Sequence, residues 1–455
     1  LPVTPTRWLA EYAWLPEHAE PTPDVLIEIE DGRIAALTPL LGAGGPPAGV
    51  EVLRDATRLP GLTLPGLANA HSHAFHRALR GRTHGGRGDF WTWRDQMYAV
   101  ADRLDPETYL ALARAVYAEM ALTGITCVGE FHYLHHRPDG GAYDDPNEMG
   151  AALVEAAAHA GIRLTLLDTC YLTSSVDGQA LAGPQHRFGD GDSARWAQRA
   201  SAFQPTDSHA RVGAAVHSVR AVPADQLRTV ADWARERRAP LHVHLSEQPA
   251  ENDECRAVHG RSPTALLAEH GVLGPDTTAV HATHPTSADL TLLADSRTGV
   301  CLCPTTERDL ADGIGPARLM ADAGIRLSLG SDSHAVVDLF EEARAVELDE
   351  RLRTRRRGHF APVDLLTAAT SAGHAALGWA DAGRIAVGAR ADLVTVRLDT
   401  ARTAGVPPVG VFFAASAADV QQVVVDGRVV VADGRHLSVD VPTELSSAIE
   451  AVTPS

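Results

Sequence analysis

The sequence predicts an α/β protein: a (β/α)8 TIM-like barrel with a small β-sandwich domain built from both chain ends. Three observations predict it. Eight short apolar runs alternate with helical periodicity through the middle of the chain. Turn-punctuated, β-rich stretches frame that middle on either side. Reactive residue types collect at the C-terminal ends of the apolar runs, where such barrels carry their chemistry. The expected division is 1–62 with 384–455 for the discontinuous sandwich, and 63–383 for the barrel.

The sandwich rests on hairpins. Residues 25–37 alternate apolar and polar around Asp31-Gly32, and a similar unit recurs at 422–434 around Asp426-Gly427. ADLVTV at 391–396 reads as a further strand. In the middle, the expected strands are 67–73, 125–131, 163–169, 211–217, 241–247, 278–283, 299–303 and 326–332. Helices fall between them. Asp105-Pro106 opens one, with Tyr109, Leu112, Ala113, Val116 and Met120 on one face. Asp145-Pro146-Asn147-Glu148 reads as an N-cap, a proline at the first helical position and a capping-box glutamate, and Gly161 supplies the stop.

Composition bounds the function. With 455 residues, 45% hydrophobic and 22% charged, the chain can bury a sizeable core. Its 40 basic residues against 58 acidic ones give a net charge of −18, which argues against nucleic acid or an anionic membrane as partner. Every basic residue is arginine; the sequence has no lysine. That excludes Schiff-base, P-loop and pyridoxal-phosphate lysines, and a carboxylated lysine bridging two metals. Five cysteines stand scattered without a C-x-x-C pair, as in a reducing compartment. The uncharged stretch 59–76 is broken by prolines, glycines and histidines, and is expected to be no membrane helix. Pro2, Pro5 and Arg7 leave no room for a signal-peptide core, so a cytoplasmic location is expected.

The chemistry sits at the strand ends. His71 and His73 are two residues apart on an extended strand, so both imidazoles project to one side and can grip one ion. An H-x-H by itself is equally two polar histidines at a strand end. The support comes from His244 and Asp332, at the ends of other strands that converge on the same mouth. Glu247 follows His244 into its loop, where a carboxylate can carry protons without ligating the ion. His281, at the next strand end, can orient water or polarise a substrate. His242 shares a face with His244 but sits deeper, where it supports or packs. Arg220 lies just past the fourth strand and Arg94 in an aromatic-rich loop after the first; two guanidiniums at one pocket suggest an acidic substrate. The arginines between 351 and 357 follow a helix and read as solvated or helix-end charge.

LPGLANAHSHAFHRALRG, GDFWTWRDQMY, VGEFHYLHH, AVHSVRAV, HVHLSEQPAENDEC and SDSH, in this order, resemble the amidohydrolase superfamily. Within it they are most similar to the formimidoylglutamate deiminase family, through FWTWR, EFHYLHH and HSVR. The resemblance implies one divalent metal, zinc first and Fe2+ or Mn2+ as alternatives, on His71, His73, His244 and Asp332. It implies Glu247, His281 and Asp332 in proton transfer and substrate polarisation, and His76, Arg94, Tyr133, His217 and Arg220 around the substrate. The implied reaction is hydrolysis of N-formimidoyl-L-glutamate to N-formyl-L-glutamate and ammonia, in histidine degradation, by a cytoplasmic enzyme expected to be a homodimer. The resemblance breaks at His76, where the family carries glutamine, and that opens a shifted substrate preference. Two other readings stay open: a zinc-dependent deaminase of an aromatic base or a related formimidoyl amino acid, and a non-catalytic binding protein on the same barrel.

Overall fold

The computed structural model describes residues 6–16, 18–40, 55–83 and 90–453, the side chains of Phe90 and Trp91 excepted. Pro2, Pro5 and the Gly88-Asp89 pair ahead of the FWTWR run lie outside the described residues. Strands β1 (Thr6–Ala13), β2 (Thr22–Glu30), β3 (Arg33–Pro39) and β4 (Thr57–Pro65) come first. The barrel strands follow: β5 (Leu67–Ser72), β6 (Ile125–His132), β7 (Arg163–Cys170), β8 (Ala210–Val216), β9 (Leu241–Leu245), β10 (Thr277–His281), β11 (Gly299–Leu302) and β12 (Leu327–Leu329). Last come β13 (Leu393–Val396), β14 (Val420–Val425), β15 (Arg428–Ala432) and β16 (Arg435–His436).

The chain ends build one mixed sheet, in the order β16-β15-β14-β13-β4-β1-β2-β3. Its two halves fold toward each other at the expected hairpin turns. Asp31 and Gly32 (φ 49° and 74°) and Asp426 and Gly427 (φ 46° and 74°) take the left-handed conformations of a type I′ turn. The Ala391 N–H donates to the Gly32 carbonyl, and the Gly427 N–H to the Ala391 carbonyl, both at 2.9 Å. Trp8, Val25, Ile27, Leu59, Leu393 and Val424 form the apolar core behind them. β1 and β4, which carry no hairpin signal, join the halves as a parallel pair.

All eight expected barrel strands are present, parallel and in sequential order from β5 to β12. β12 is shorter than expected. Gly330 lies so close to His71 that a Cβ would sit 2.8 Å from its Cβ, and Asp332 turns to φ 38°, so extended structure ends early. The barrel closes beyond that end: the Asp332 N–H donates to the His71 carbonyl (3.0 Å), and the His73 N–H to the Asp332 carbonyl (3.3 Å). Closure and the candidate metal cluster are therefore the same piece of backbone.

Two helix starts test the punctuation. The Asp105 carboxylate accepts from the Thr108 N–H in a capping box, and the helix Pro106–Leu122 buries its expected face. Asp145 does not cap a helix. Its carboxylate accepts from the Asn147 N–H two residues on, and the helix runs Glu148–Ala160 from a non-bonding Asn147 cap. A short aspartate side chain followed by proline closes its own turn first, and the helix begins after it. No helix among the described residues is long and apolar enough to cross a membrane.

At the closed end of the barrel, Trp379 joins the two sheets. It is 1 % exposed, donates from Nε1 to Thr165 Oγ1 (3.0 Å), and has the guanidiniums of Arg211, Arg390 and Arg163 at 3.6, 5.0 and 5.4 Å from its ring. Arg163 in turn pairs with Asp392 and Asp426 of the end sheet. Trp379→Ala is expected to cost about 3–5 kcal/mol of stability, because a large cavity opens and three cations lose their aromatic face. A urea unfolding midpoint unchanged from that of the parent chain would contradict this.

Candidate active site

The site is assembled from strand ends. His71 and His73 leave β5 with their rings toward the barrel mouth, His244 does so from β9, and Asp332 follows β12. His71 Nε2 lies 3.1 Å from His244 Nε2 and 3.2 Å from Asp332 Oδ1; His73 Nε2 lies 3.4 Å from the same oxygen. One ligand atom from each of the four falls within 4.8 Å of the others. Donors about 2.1 Å from a shared ion stand roughly 3–3.5 Å apart, so the residues fit a divalent metal. Their protonation fits too. The His73 Nδ1–H donates to the Phe131 carbonyl and the His244 Nδ1–H to the His217 carbonyl, both at 3.0 Å, which leaves each Nε2 lone pair facing the cluster. Burial pushes His73 down to about 3 and His244 well below the ordinary imidazole value, so both are neutral, as ligation requires.

Around the cluster lies a cavity of about 580 Å³, its open mouth included. His76, Arg94, Tyr133, His217 and Arg220 line it, together with Glu247, His281 and Asp332. His71 sits beneath, fully buried. His76 Nε2 hydrogen-bonds the Tyr133 hydroxyl at 3.2 Å. Arg94 is not on a loop. The run FWTWRDQMYAVA forms the helix Phe90–Ala101, because Trp93, Met97, Val100 and Ala101 recur at helical spacing on the inner side. One turn apart on that helix, the Arg94 guanidinium lies 5.6 Å from the Tyr98 ring. His242 stays below, bonded through Nε2 to the Ala376 carbonyl (3.0 Å).

Glu247 and His281 face each other across 3.8 Å, and His281 Nε2 is also 3.8 Å from Asp332 Oδ2. Burial raises the Glu247 carboxyl above its ordinary range, against the opposing pull of His281 and Arg220. Burial disfavours charge on His281, but Glu247, Glu307 and Asp332 outweigh it and hold its pKa well above the ordinary value. His281 and Ala282 both take left-handed backbone (φ 67° and 49°), an unfavourable conformation for residues with a Cβ that aims the imidazole inward.

The sequence reading leaves several neighbours unnoticed. Glu307 Oε1 lies 3.5 Å from His281 Nδ1, Glu251 Oε2 lies 3.5 Å from Arg220 Nε, and Gln185 donates to the hydroxyls of Tyr98 and Tyr171, each at 3.1 Å. Tyr171 directly follows β7, one of the two strands whose ends carried no expected residue, and the strand-end rule applied to all eight strands would have found it. Glu307, inside the helix Pro304–Asp309 after β11, carries no such signal, nor do Glu251 and Gln185.

Known proteins share this architecture. The amidohydrolase family model matches residues 62–430. A formimidoylglutamate deiminase of Pseudomonas aeruginosa is 39% identical over 444 residues, 94% of this chain and 95% of that protein. A 5-methylthioadenosine/S-adenosylhomocysteine deaminase of Halobacterium salinarum is 30% identical over 428 residues, 92% of this chain and 90% of its own length. The crystal structure of an amidohydrolase from Brucella melitensis superposes with a TM-score of 0.87 at 32% identity, covering 99% of this chain and 100% of that one. The four-residue cluster at the mouth of a parallel barrel and these matches agree: this chain belongs to the amidohydrolase family and is one of its hydrolytic enzymes.

Proposed function

We propose that this enzyme hydrolyses N-formimidoyl-L-glutamate to N-formyl-L-glutamate and ammonia, a step of histidine degradation, in the cytoplasm. One observation carries the reading: Arg94 and Arg220 line the same cavity as the metal cluster and Glu247. A guanidinium beside a hydrolytic centre selects a substrate that carries carboxylate. The flat neutral ring of an aromatic base gives two arginines nothing to bind. The 39% identity to the Pseudomonas aeruginosa formimidoylglutamate deiminase supports the same choice.

His71, His73, His244 and Asp332 would hold one divalent cation, zinc in this proposal, with Fe2+ or Mn2+ as alternatives. A cation there supplies the Lewis acidity that makes hydroxide available near neutral pH. Arg220 and Arg94 hold the carboxylates of the glutamyl portion, and His217, Tyr133 and His76 hydrogen-bond the rest. With the substrate so placed, Asp332 takes up the proton of the attacking water. His281, held charged by its carboxylate neighbours, donates a hydrogen bond to the oxygen that adds to the amidine carbon. Glu247 then delivers a proton to the terminal nitrogen of the amidine as its bond to carbon breaks, and ammonia leaves. The intact cluster and the buried Glu247 favour an enzyme over a non-catalytic binding protein on this barrel. The division of the chain into 1–62 with 384–455 and 63–383 belongs to the same proposal.

The test is ammonia release from formimidoyl-glutamate, formimidoyl-aspartate, guanine and cytosine. Formimidoyl-glutamate is expected to be turned over fastest; a base turned over in preference would overturn the substrate assignment. The metal is tested separately. Elemental analysis should find one divalent ion per chain, and Asp332→Ala should lose both the ion and activity. Two ions in every active chain, or full activity without any, would contradict the four-residue assignment.

A further inference from the structure

One buried carboxylate outside the proposed reaction reaches two parts of it at once. Glu251 is 2 % exposed and sits in the first turn of the helix Pro249–His259. Its Oε1 accepts the Ser246 backbone N–H at 2.9 Å. Its Oε2, buried and without a hydrogen bond, lies 3.5 Å from Arg220 Nε, and Arg220 Nη2 lies 3.9 Å from Glu247 Oε2. A glutamate at this helix position ordinarily reaches back to its own N-cap N–H. Here the N-cap is Gln248, and the bond goes two residues further, to a Ser246 held at φ 49° immediately before Glu247. A turn-capping glutamate needs only one oxygen. The second one faces a guanidinium.

We propose that Glu251 is a positioning residue that anchors Arg220 in the cavity wall, off Glu247, where the guanidinium meets a substrate carboxylate. This rests on the acidic-substrate reading given above. The physical reason is competition. Arg220 stands between two carboxylates of its own chain, and its planar fork can close on either. With Glu251 removed, Glu247 is the other carboxylate beside Arg220 among the described residues, and closure on it withdraws the substrate's partner.

Two conservative variants separate anchoring from turn capping. Glu251→Gln keeps an acceptor for the Ser246 N–H but loses the charge that faces Arg220. Glu251→Asp keeps the charge and shortens the reach to Ser246. If Glu251 anchors Arg220, Glu251→Gln raises KM for formimidoyl-glutamate, and Kd for the unreactive product N-formyl-L-glutamate measured calorimetrically, by about tenfold, with Glu251→Asp nearer to wild type. In an Arg220→Ala background, adding Glu251→Gln should change neither constant further, because residues acting through one another are not additive. The opposite order of the two variants, a wild-type-like Glu251→Gln, or a full additive loss in the Arg220→Ala background overturns the anchoring role. Should Glu251→Gln not fold, Glu251→Asp is read alone, and a KM as high as that of Arg220→Ala overturns it. A wild-type enzyme that neither binds N-formyl-L-glutamate nor turns over formimidoyl-glutamate overturns the substrate reading and this role with it. A wild-type enzyme that binds it, beside an unaffected Glu251→Gln, overturns this role alone.

Discussion

Glu247→Gln is expected to keep metal and substrate and to lose about 10²–10⁴-fold in kcat, the usual loss when a positioned proton carrier is removed. The change is nearly isosteric at a buried position, and Glu247 contributes no atom to the four-residue cluster. What disappears is a group that can hold and release a proton. Burial has already moved the Glu247 carboxyl above its ordinary range, in the direction a proton donor needs, while His281 at 3.8 Å limits the shift. KM and metal content should stay near those of the parent chain. A variant with near-normal kcat would show that the proton travels by another route, with His281 the next group to test.

Arg220→Ala is expected to cost roughly 10²–10³-fold or more in kcat/KM on formimidoyl-glutamate. Truncating one partner of a desolvated ion pair leaves the other charge uncompensated, at about 3–5 kcal/mol, and about 1.4 kcal/mol is tenfold. Burial works against the Arg220 charge, but Glu251 and Glu247 outweigh it, so the guanidinium is charged in the cavity. The chain's net charge of −18 makes a local cation the more necessary for an anionic substrate. Metal content should not change. On a formimidoyl-amine without carboxylate the loss should be much smaller. An equal loss on both substrates would mean that Arg220 supports the site rather than the substrate.

Barrel strands were legible because their signal is local. A short apolar run bounded by turn residues reads the same whatever packs against it, so eight strands could be placed from the chain alone. The two Asp-Gly turns were legible for the same reason, since the left-handed backbone they adopt suits few other residue pairs. β1 and β4 were not. Their pairing is parallel and joins segments separated by about fifty residues, so no tight turn between them announces it. The Arg94 helix was read as a loop because an aromatic-rich run gives the same residues to a helix or to a binding loop, and only packing of Trp93 and Met97 on the core decides.

At the site, the sequence by itself determined which residues have the right chemistry and which strand ends carry them. His71, His73, His244 and Asp332 follow from residue type and alternation, and the absence of lysine removed the bridged two-metal alternative. Tertiary structure alone decided their convergence and their partners. Four ligand atoms fall within 4.8 Å because the barrel closes through the Ser72–Asp332 bridge, a contact between residues 260 positions apart. Glu307 reaches His281, and Glu251 reaches Arg220, across elements whose spacing in the chain carries no trace of the contact. A carboxylate in a loop or a first helical turn looks solvated in sequence. Only the fold shows that it is buried, and a buried charge must find an opposite one.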